Sequence, residues 1–516
     1  MILADLVESL EVIHREGNLD QEVKHVTDDS RHVQPGSLFV AVKGTQADGH
    51  AFVDAAIDRG AVAVVVEEVP QGAHLTRQGK ERLKKNPVAV IQVKNSRRAL
   101  GKLASRFFQD PSRKLTLIGV TGTNGKTTVT HLCKALLDRH GKSVGLIGTV
   151  GHLLPNSTRL PAAHTTPDPV MLQGLLARMV ACNTDVAVME VSSHALALNR
   201  VAGCEFDIVV YTNLTQDHLD FHRTMEEYFH AKLRLFTDCV AERAKRGPKR
   251  AIVNLDDVWG AHIVQKSLVP VWTYSLYREA DLQAQGIDLS LEGTRFTALT
   301  PCGPIAVTSP LVGEHNVSNV LAAIGVGLHM GLSPETIRQG IALFDCVPGR
   351  FEFVRAGQDF ALVVDYAHTE DALTRLLMTA RKLGHGRLLT VFGCGGDRDR
   401  GKRPKMGAAA AQHSDLVFLT SDNPRSEDPM AILHDIEQGI VQVPKEVRAP
   451  YHVIPDRAEA IAAAVQEARP GDLVVIAGKG HEDYQIMGNQ RLPFDDRIVA
   501  REAVLRLGKG AKLTCR

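Results

Sequence analysis

Short apolar runs recur along the chain, and each is followed by a loop rich in Gly, Asp or Asn and then by an amphipathic stretch. The runs occupy 38–42, 61–66, 115–120, 186–190, 208–212, 360–366, 388–393, 416–420 and 473–478. Such runs, with little polar alternation, are typical of parallel strands buried on both faces. After the loop at 121–126, a stripe with helical spacing contains Val129, Leu132, Cys133, Leu136 and Leu137. Gly141 is the expected end of that helix. The pattern therefore predicts an α/β fold.

Domain boundaries are suggested by two loop segments. The 516-residue length suggests about three or four domains. PSRK at 111–114 precedes the strongest strand, and CVPGRFE at 346–352 precedes another strand–helix series. We therefore expect an N-terminal domain at 1–110, a central domain at 111–346 and a C-terminal domain at 347–516. Between 271 and 312, short alternating runs predict an antiparallel β excursion, and the polar stretch 71–87 is interpreted as a surface insertion.

Composition excludes several classes of protein. Lys and Arg number 60 against 59 Asp and Glu, a net charge of +1, which argues against a dedicated nucleic-acid binder or a polybasic membrane-surface protein. The apolar runs are far shorter than the ~18 residues of a membrane-spanning helix. The N-terminal apolar stretch contains acidic residues and so does not resemble a signal peptide. The eight cysteines form no CxxC pair, so we expect isolated thiols in the cytoplasm.

The strongest local signal is LTLIGVTGTNGKTTVTHL at 115–132, which predicts a strand, a glycine-rich turn and a helix. Backbone amides of such a turn wrap nucleotide phosphates. Lys126 would neutralise the outer phosphates, and Thr127 could place a hydroxyl on Mg²⁺. The spacing departs from the usual phosphate loop because position 120 is Val and the nearer glycine is Gly122. We interpret the segment as an ATP or GTP site, the alternative being a structural glycine-rich turn.

Polar residues follow three further segments of the same region. Glu190 ends a buried strand, where an acidic residue could order Mg²⁺ or cap the next helix. His218 lies in a polar loop after the strand at 208–212, as a functional residue or as a solvated histidine. Thr165 and Thr166 precede a proline turn and could bind phosphate or cap a helix.

Four loops in the last third each follow an apolar strand, at 365–373, 393–407, 421–429 and 478–485. Open parallel sheets bind ligands beyond the carboxyl ends of their strands, so these loops should converge. Arg398 and Arg425 could each grip a carboxylate, and Asp422 and Glu482 could hold an ammonium group. This content predicts an amino-acid-like substrate, the alternative being a solvated basic loop. An ATP site together with such a site suggests amide formation through an acyl phosphate.

The ordered motifs resemble those of the Mur ligases over nearly the whole chain. They are TDDSRHVQPGSLFVAVKGTQADGHAF, TGTNGKTT, TTP, EVSSHAL, NLTQDHLDFH, EHNVSNVLAA, PGRFE, DYAHTEDAL, GCGGDRDRGKRP, DNPR and GKGHEDYQ. DNPR resembles the form of this loop found in members that add meso-diaminopimelate to UDP-N-acetylmuramoyl-L-alanyl-D-glutamate. The resemblance implies three α/β domains, the central one of phosphate-loop type and the C-terminal one Rossmann-like. Alternatives are a sibling ligase that adds L-lysine or another amino acid or acts on folate, and a nucleotide-binding regulatory module.

The resemblance also implies roles for individual residues. ATP would be bound by Gly122, Thr123, Asn124, Gly125, Lys126, Thr127, Thr128, Asn316 and Asp365. The UDP-muramoyl-dipeptide would contact Asp28, Ser30, Thr45, Gln46, Ala47, His164, Thr165, Thr166, Ser192, Leu198 and Arg200. Diaminopimelate would contact Arg398, Asp422, Asn423, Pro424, Arg425, Gly478 and Glu482. The catalytic residues would be Lys126, Glu190, His218 and Lys232. Mg²⁺ would lie near Thr127, Glu190, His218 and a carbamylated Lys232.

This chain departs from the family pattern at three of its positions. His164 stands where many members have Asn, and Leu198 stands where many have Gln, so individual contacts to the UDP-linked substrate are in question. Glu370 replaces a usual Pro and should affect only the start of a helix. The resemblance further implies a cytoplasmic monomer acting on small molecules in peptidoglycan synthesis, without nucleic-acid binding or membrane insertion, and with roles in cell shape and division.

Overall fold

The computed structural model describes residues 1–44, 47–68, 88–155, 158–241, 245, 247–384 and 386–513, with only the backbone at 220 and 508–513. The stretch interpreted as a surface insertion, 71–87, lies outside these residues. The chain forms two compact units. The first contains Met1–Gln283 and Asn319–Ile337, and the second contains Ala284–Ser318 and Arg338–Arg516. The expected division into domains at 110 and 347 stays a prediction.

The first sheet of the first unit has five strands in the order β1-β5-β4-β3-β2. Its strands are β1 (Val12–Glu16), β2 (His25–Thr27), β3 (Ser37–Val40), β4 (Ala61–Val66) and β5 (Ala89–Val93). Strand β1 is antiparallel to β5 and the other pairs are parallel. Its helices are α1 (Leu3–Val7), α2 (Val53–Asp58) and α3 (Ser96–Phe107). Leucines of α1 and α3 are buried with Val65 of β4 and Ile91 of β5 in one apolar core.

The second sheet of the first unit runs in the order β13-β12-β11-β6-β10-β7-β8-β9. Its strands are β6 (Thr116–Thr121), β7 (Val144–Gly148), β8 (Gly151–Leu153), β9 (Arg159–Leu160), β10 (Val186–Glu190), β11 (Ile208–Tyr211), β12 (Arg250–Asn254) and β13 (Val271–Ser275). All pairs from β13 to β7 are parallel. Its helices are α4 (Lys126–Arg139), α5 (Pro169–Ala181), α6 (Ser193–Ala197), α7 (Leu219–His222), α8 (Met225–Leu233) and α9 (Gly260–Lys266).

Strand register brings the ends of three of these strands side by side. Glu190 pairs with Val120, and Tyr211 pairs with Thr121. Strand β6 comes first along the chain among these strands and lies between β10 and β11. The direction in which successive strands are added to the sheet therefore reverses at β6. Ligand sites of open α/β sheets lie at such a switch point, beyond the carboxyl ends of the strands.

Two connecting helices and an antiparallel segment follow along the chain. Strand β14 (Leu282–Ser290) begins parallel to β13, while β15 (Gly293–Leu299) and β16 (Ile305–Ser309) form an antiparallel pair. The antiparallel excursion predicted for 271–312 is therefore right for β15 and β16 and wrong for β13 and the start of β14. Helices α10 (Glu314–His329) and α11 (Pro334–Ala342) each cross from one unit to the other along the chain.

The main sheet of the second unit has the order β17-β18-β22-β19-β20-β21. Its strands are β17 (Glu352–Phe353), β18 (Ala361–Asp365), β19 (Leu388–Phe392), β20 (Leu416–Leu419), β21 (Tyr451–Val453) and β22 (Leu473–Ala477), and a hairpin adds β23 (Tyr484–Met487) and β24 (Gln490–Pro493). All pairs except β17–β18 in the main sheet are parallel. Its helices are α12 (Glu370–Arg381), α13 (Lys402–His413), α14 (Pro429–Gln442), α15 (Arg457–Glu467) and α16 (Asp496–Leu513).

The α/β fold predicted from the apolar runs is confirmed. Each run contains or overlaps a buried strand, and the apolar stripe of α4 is buried. Helix α4 ends just before Gly141, which has a φ of +78°. No helix within the described ranges is both long and apolar enough to cross a membrane. No disulfide joins the cysteines of the described residues, and Cys515 lies outside them.

Candidate active site

Two glycines shape the turn between β6 and α4. Gly122 has a φ of +152° and Gly125 a φ of +87°, a backbone region that disfavours other residues. A Cβ at Gly122 would collide with Thr212 Oγ1, and a Cβ at Gly125 would collide with Asn319 Oδ1. Both positions therefore require glycine, which is the property that a phosphate-cradling turn needs.

The segment after β11 holds the turn in place. The amides of Thr123 and Asn124 donate to Asn213 O and Oδ1 at 2.8 and 2.9 Å. Thr212 Oγ1 donates to Asn124 O at 2.6 Å, and Thr128 lies buried in the first turn of α4. The predicted ATP residues of the first unit thus form one ordered loop at a helix N-terminus.

Two lysines converge on this loop from different helices. Lys126 Nζ donates to Gly122 O and Thr123 O at 3.0 and 2.7 Å. Lys232, near the end of α8, is fully buried and donates to Gly122 O at 2.8 Å. Burial, followed by the charge of Lys126, holds the pKa of Lys232 well below its usual value. The neutral amine of Lys232 is therefore favoured.

An aromatic side chain separates Lys232 from His218. The Tyr228 ring centroid lies 4.5 Å from Lys232 Nζ, and Tyr228 Oη is 3.1 Å from Thr123 Oγ1. His218 has a left-handed backbone, is 45% exposed and lies 3.4 Å from Asp217. Its ring centroid lies 6.1 Å from that of Tyr228. The structure thus brings the two predicted catalytic residues to neighbouring positions.

Glu190 is buried at the end of β10, and its carboxylate accepts three hydrogen bonds. Its Oε2 accepts from the hydroxyls of Thr127 and Thr149 at 3.0 and 3.1 Å, and its Oε1 accepts from the Thr149 amide at 2.8 Å. Thr165 Oγ1 lies 3.0 Å from Thr149 Oγ1. The residue that caps α6 is Ser192, not Glu190. The helix-cap alternative for Glu190 is therefore wrong, and its carboxylate instead contacts Thr127 at the start of α4.

The predicted dipeptide residues continue from Glu190 in one hydrogen-bonded chain. Thr166 is buried, and its hydroxyl donates to Glu190 O at 2.9 Å. The Ser192 amide donates to Thr166 Oγ1 at 3.0 Å, and Arg200 donates to Thr166 O at 3.0 Å. Thr166, Ser192 and Arg200 are thus brought together, although their chain separation is up to 34 residues.

Asp168 links this group of hydrogen-bonded residues electrostatically to Asp28, which follows β2. Arg200 Nε lies 3.2 Å from Asp168 Oδ1. Burial and, to a lesser extent, the charge of Asp168 raise the pKa of the Asp28 carboxyl. Ser30 lies in the turn after Asp28, and its carbonyl accepts from Arg59. Asp168 thus pairs with the predicted dipeptide residue Arg200 and also acts electrostatically on the predicted UDP residue Asp28.

Other predicted contacts of the UDP-linked substrate are less defined. Thr45 and Gln46 lie outside the described residues. Ala47 accepts a backbone hydrogen bond from the amide of residue 44. His164 is exposed, and Leu198 is the half-buried residue that ends α6. The contacts of His164 and Leu198 with a substrate stay predictions.

Two predicted ATP residues belong to the second unit. Asn316 Nδ2 donates to Val312 O at 2.8 Å within the first turn of α10. Asp365, at the end of β18, accepts the amides of Ala367 and Phe351 at 2.8 Å each. Burial raises the pKa of the Asp365 carboxyl. Both side chains are therefore rigidly oriented by backbone groups.

The loops after β19 and β20 place two arginines in the second unit. Arg425 has a φ of +54°, and its amide donates to Ile486 O at 3.1 Å, so the β23–β24 hairpin holds its backbone. Its guanidinium donates to Gly396 O at 2.7 Å. Arg398 is exposed on the β19 loop, and Pro424 is buried. The two loops therefore meet at Arg425.

A lysine that the sequence analysis did not single out lies among the predicted diaminopimelate residues. Asn423 Nδ2 donates to Glu482 Oε2 at 3.0 Å, and Lys479 is buried between Glu482 and Asp422. Gly478, with a φ of +116°, lets the chain turn beside Asp422 at the end of β22. Asp422, Asn423 and Glu482 are thus brought together around Lys479.

One arginine of the basic segment 393–407, Arg403, has a structural role. Arg403 is fully buried in α13 and is paired with Glu427 and Asp435 at 2.8 Å each. Thr149 and Asp168, which contact Glu190 and Arg200, were not predicted from the sequence. A polar residue directly after a buried strand is the signal that could have identified Thr149. The Asp168–Arg200 pair has no local signal.

Family models match three parts of this chain. They are described as "Mur ligase family, catalytic domain" at 22–108, "Mur ligase middle domain" at 120–327, and "Mur ligase, glutamate ligase domain" at 349–480. The chain belongs to the Mur ligase family. As a Mur ligase it is an ATP-dependent, ADP-forming carbon–nitrogen ligase. The family resemblance seen in the motifs is therefore confirmed.

Relatives of this Mur ligase match nearly full length. It is 46% identical over 492 residues to a UDP-N-acetylmuramoyl-L-alanyl-D-glutamate–2,6-diaminopimelate ligase from Geobacillus thermodenitrificans, covering 95% of this chain and 96% of that one. A protein of the same name from Gloeobacter violaceus is 48% identical, covering 94% of each. A solved structure of such a ligase matches with a TM-score of 0.70 and 34% identity, covering 98% of this chain and all of that one.

Proposed function

We propose that this Mur ligase joins meso-diaminopimelate to UDP-N-acetylmuramoyl-L-alanyl-D-glutamate, with ATP converted to ADP and phosphate. The observation that carries the proposal is that one loop after β20 carries Asp422 and Arg425, while Asn423 of that loop bonds to Glu482 and the Arg425 amide bonds to Ile486 O. A guanidinium and a carboxylate pair complement the carboxylate and ammonium groups of a diamino acid. The names of the relatives at 46% and 48% identity support the same reaction.

The reaction would proceed in two steps. A carboxylate oxygen of the glutamyl residue attacks the γ-phosphorus of ATP, the bond from phosphorus to ADP breaks, and an acyl phosphate forms. The amine of diaminopimelate then attacks the acyl carbon, phosphate leaves, and the amine nitrogen loses a proton. Lys126, extended along the turn by its bonds to Gly122 O and Thr123 O, would neutralise charge on the phosphates. Positioning and neutralisation are the main contributions of such enzymes.

Glu190 and Thr127 fit a Mg²⁺ ion bound together with ATP. Both are oxygen donors, and a carboxylate with a hydroxyl is a set that Mg²⁺ uses when phosphates complete its coordination. Within the described ranges, no three His, Cys, Asp or Glu residues form a metal cluster, which agrees with phosphates as the remaining ligands. Mg²⁺ would supply charge stabilisation at the phosphates. Thr149 would keep Glu190 oriented toward it.

We propose that Lys232 is carbamylated, as in the family. Its amine nitrogen would attack CO₂ and lose a proton, which gives a carbamate anion. Its complete burial and lowered pKa favour the neutral amine that this addition requires. A ¹³C NMR carbamate signal in protein equilibrated with ¹³CO₂, absent from K232M, would support the modification. Equal spectra for the two proteins would contradict it.

The reaction itself is tested by measuring ADP release with the UDP-linked dipeptide and either meso-diaminopimelate or L-lysine. We expect release to depend on meso-diaminopimelate. R425A should raise the KM for diaminopimelate at least tenfold, which corresponds to about 1.4 kcal/mol, with unchanged KM for ATP. R400A, at an exposed arginine 25 positions earlier whose partner is Asp435, is the matched control. Preference for L-lysine in the wild type would replace the proposal by the sibling activity.

Further properties extend the same proposal. We expect a cytoplasmic monomer with domains at 1–110, 111–346 and 347–516, no nucleic-acid partner and no membrane insertion. Its product would supply peptidoglycan synthesis, and through it cell shape and division. Light scattering at several protein concentrations tests the monomer. Limited proteolysis that cuts near 110 and 347 would support the domain boundaries, and cuts elsewhere in compact regions would contradict them.

A further inference from the structure

Lys479 lies two positions after the end of β22 and is completely buried. Its Nζ donates to Glu482 Oε2 and Asn423 Oδ1 at 3.1 Å each and lies 3.5 Å from Asp422 Oδ1. A lysine is rarely buried to this extent unless it is paired. All three protons of its ammonium group are therefore directed at oxygen atoms, two of which belong to carboxylates.

The two carboxylates use only part of their hydrogen-bonding capacity. Oδ1 of Asp422 and Oε2 of Glu482 face Lys479, whereas Oδ2 and Oε1 accept no hydrogen bond from the described residues. The side chains are still 11% and 18% exposed. A carboxylate offers about four lone-pair positions, so one oxygen of each group is open to a ligand.

The same cluster is tied to Arg425 through the hairpin. Asn423 Oδ1 accepts the Ile486 amide at 2.9 Å, and Gln485 Nε2 donates to Asp422 O at 2.8 Å. The Arg425 amide donates to Ile486 O. A displacement of the hairpin would therefore move Asp422 and Arg425 together, and Lys479 lies at the junction of the two segments.

We propose that Lys479 is a positioning and specificity-determining residue of the amino-acid site. This inference rests on the proposed function, since it assumes that the site takes a diamino acid. The ammonium group of Lys479 holds Asp422 and Glu482 so that their open oxygens bind one ammonium group of the substrate. It also offsets one of their two charges, and Arg425, on the same loop as Asp422, brings the formal charge of these four side chains to zero. The cluster of Asp422, Glu482, Lys479 and Arg425 is then neutral. It therefore matches the zwitterionic end of diaminopimelate, which carries no net charge, better than the cationic end of L-lysine.

The test compares K479M with wild type and with K405M. Met has an unbranched side chain of similar length without charge, and Lys405 is an exposed lysine of the same unit. For K479M we expect the KM for meso-diaminopimelate to rise at least tenfold, while the KM values for ATP and for the UDP-linked dipeptide stay within twofold. We also expect the ratio of kcat/KM for diaminopimelate to that for L-lysine to fall, because removal of a cation favours the more positive substrate. K405M should match wild type.

Three results would overturn the proposal: an unchanged KM for diaminopimelate, an equal rise of all three KM values, or an unchanged selectivity ratio. An equal rise would indicate that Lys479 only stabilises the fold. If K479M does not fold, K479Q, which retains an N–H donor and lacks the charge, is measured in the same way with the same expected results. Wild type that forms no ADP with either amino acid would instead refute the proposed function, so the two failures are distinguishable.

Discussion

A single methyl group at Gly148 should disable the phosphate site. Gly148 ends β7, and a Cβ at this position would collide with Glu190 Oε1 and lie only 3.1 Å from Glu190 Cδ. Gly148 does not have a positive φ, so G148A adds no backbone strain. The effect of the substitution is therefore confined to the position of the Glu190 carboxylate.

The expected fall in kcat follows from the hydrogen bonds of Glu190. To clear the new carbon, the carboxylate must retreat by about 1 Å, since carbon and oxygen atoms make favourable contacts near ~3.5 Å. The bonds from Thr149 and Thr127 now measure 2.8 to 3.1 Å, and such a shift takes them past the range of about 3.2 Å for good bonds. A misplacement of about 1 Å at a reacting centre costs roughly 100-fold in rate. We therefore expect kcat to fall about 100-fold.

The assay is ADP release as a function of Mg²⁺ concentration, with both other substrates saturating. G148A should show the lower kcat and a higher half-saturating Mg²⁺ concentration. G174A is the matched control, because Gly174 lies inside α5 and its Cβ would make an ordinary 3.4 Å contact with Phe108. Alanine there should leave kcat unchanged. Turnover of G148A within threefold of wild type would refute the role assigned to Glu190.

Further expected outcomes concern stability and the UDP-linked substrate. R457M should lower the free energy of unfolding by about 3–5 kcal/mol in denaturant titrations, because it leaves the buried Asp496 charge unpaired; a loss below ~1 kcal/mol would contradict this. Hydrogen bonding from Arg403 lowers the pKa of Glu427 to about 2. The stabilisation of the fold by the Arg403–Glu427 pair therefore persists above about pH 4.5 and is lost as the pH falls toward 2. In acid, E427Q should therefore lose less stability than wild type, and parallel curves would refute the pairing. Arg234 donates to Leu196 O and so holds α6, the helix that Ser192 caps and Leu198 ends. R234Q should therefore raise the KM for the UDP-linked dipeptide several-fold without affecting the KM for diaminopimelate. An unchanged KM for the dipeptide would exclude this role of Arg234.

Local patterns predicted most strands and the phosphate turn. Apolar runs predict buried strands because burial on both faces removes the need for polar alternation. The Gly122 and Gly125 positions could be identified because a turn that approaches phosphate closely needs residues without a Cβ. Glu190 could be identified because a carboxylate at the end of a buried strand has few structural reasons to be there. Each of these signals lies within about ten residues of chain.

The remaining features depend on contacts between distant parts of the chain. Asp168 and Arg200 are 32 positions apart, and the sequence shows no pattern that would pair them. Strand β14 begins parallel to β13 although short alternating runs favour antiparallel pairing, because register depends on the neighbouring strand as well as on local alternation. Lys479 was missed because a lysine between two glycines is ordinarily solvated, and only the fold reveals its burial.

Two buried cations of the second unit show how burial of charge can serve different ends. Arg457 and Asp496 are both fully buried, and both carboxylate oxygens of Asp496 accept from the guanidinium at 2.7 Å. Both oxygens of Asp496 are bonded and neither side chain is exposed, so no ligand reaches the pair and its effect is on stability. Lys479 is buried equally, yet each of its carboxylate partners keeps some exposed surface and one oxygen that accepts no hydrogen bond from the part of the chain that the structure describes. A buried cation whose carboxylate partners still have an oxygen available orients those carboxylates to bind a ligand. This difference between the two pairs, rather than burial itself, assigns Lys479 to the binding site.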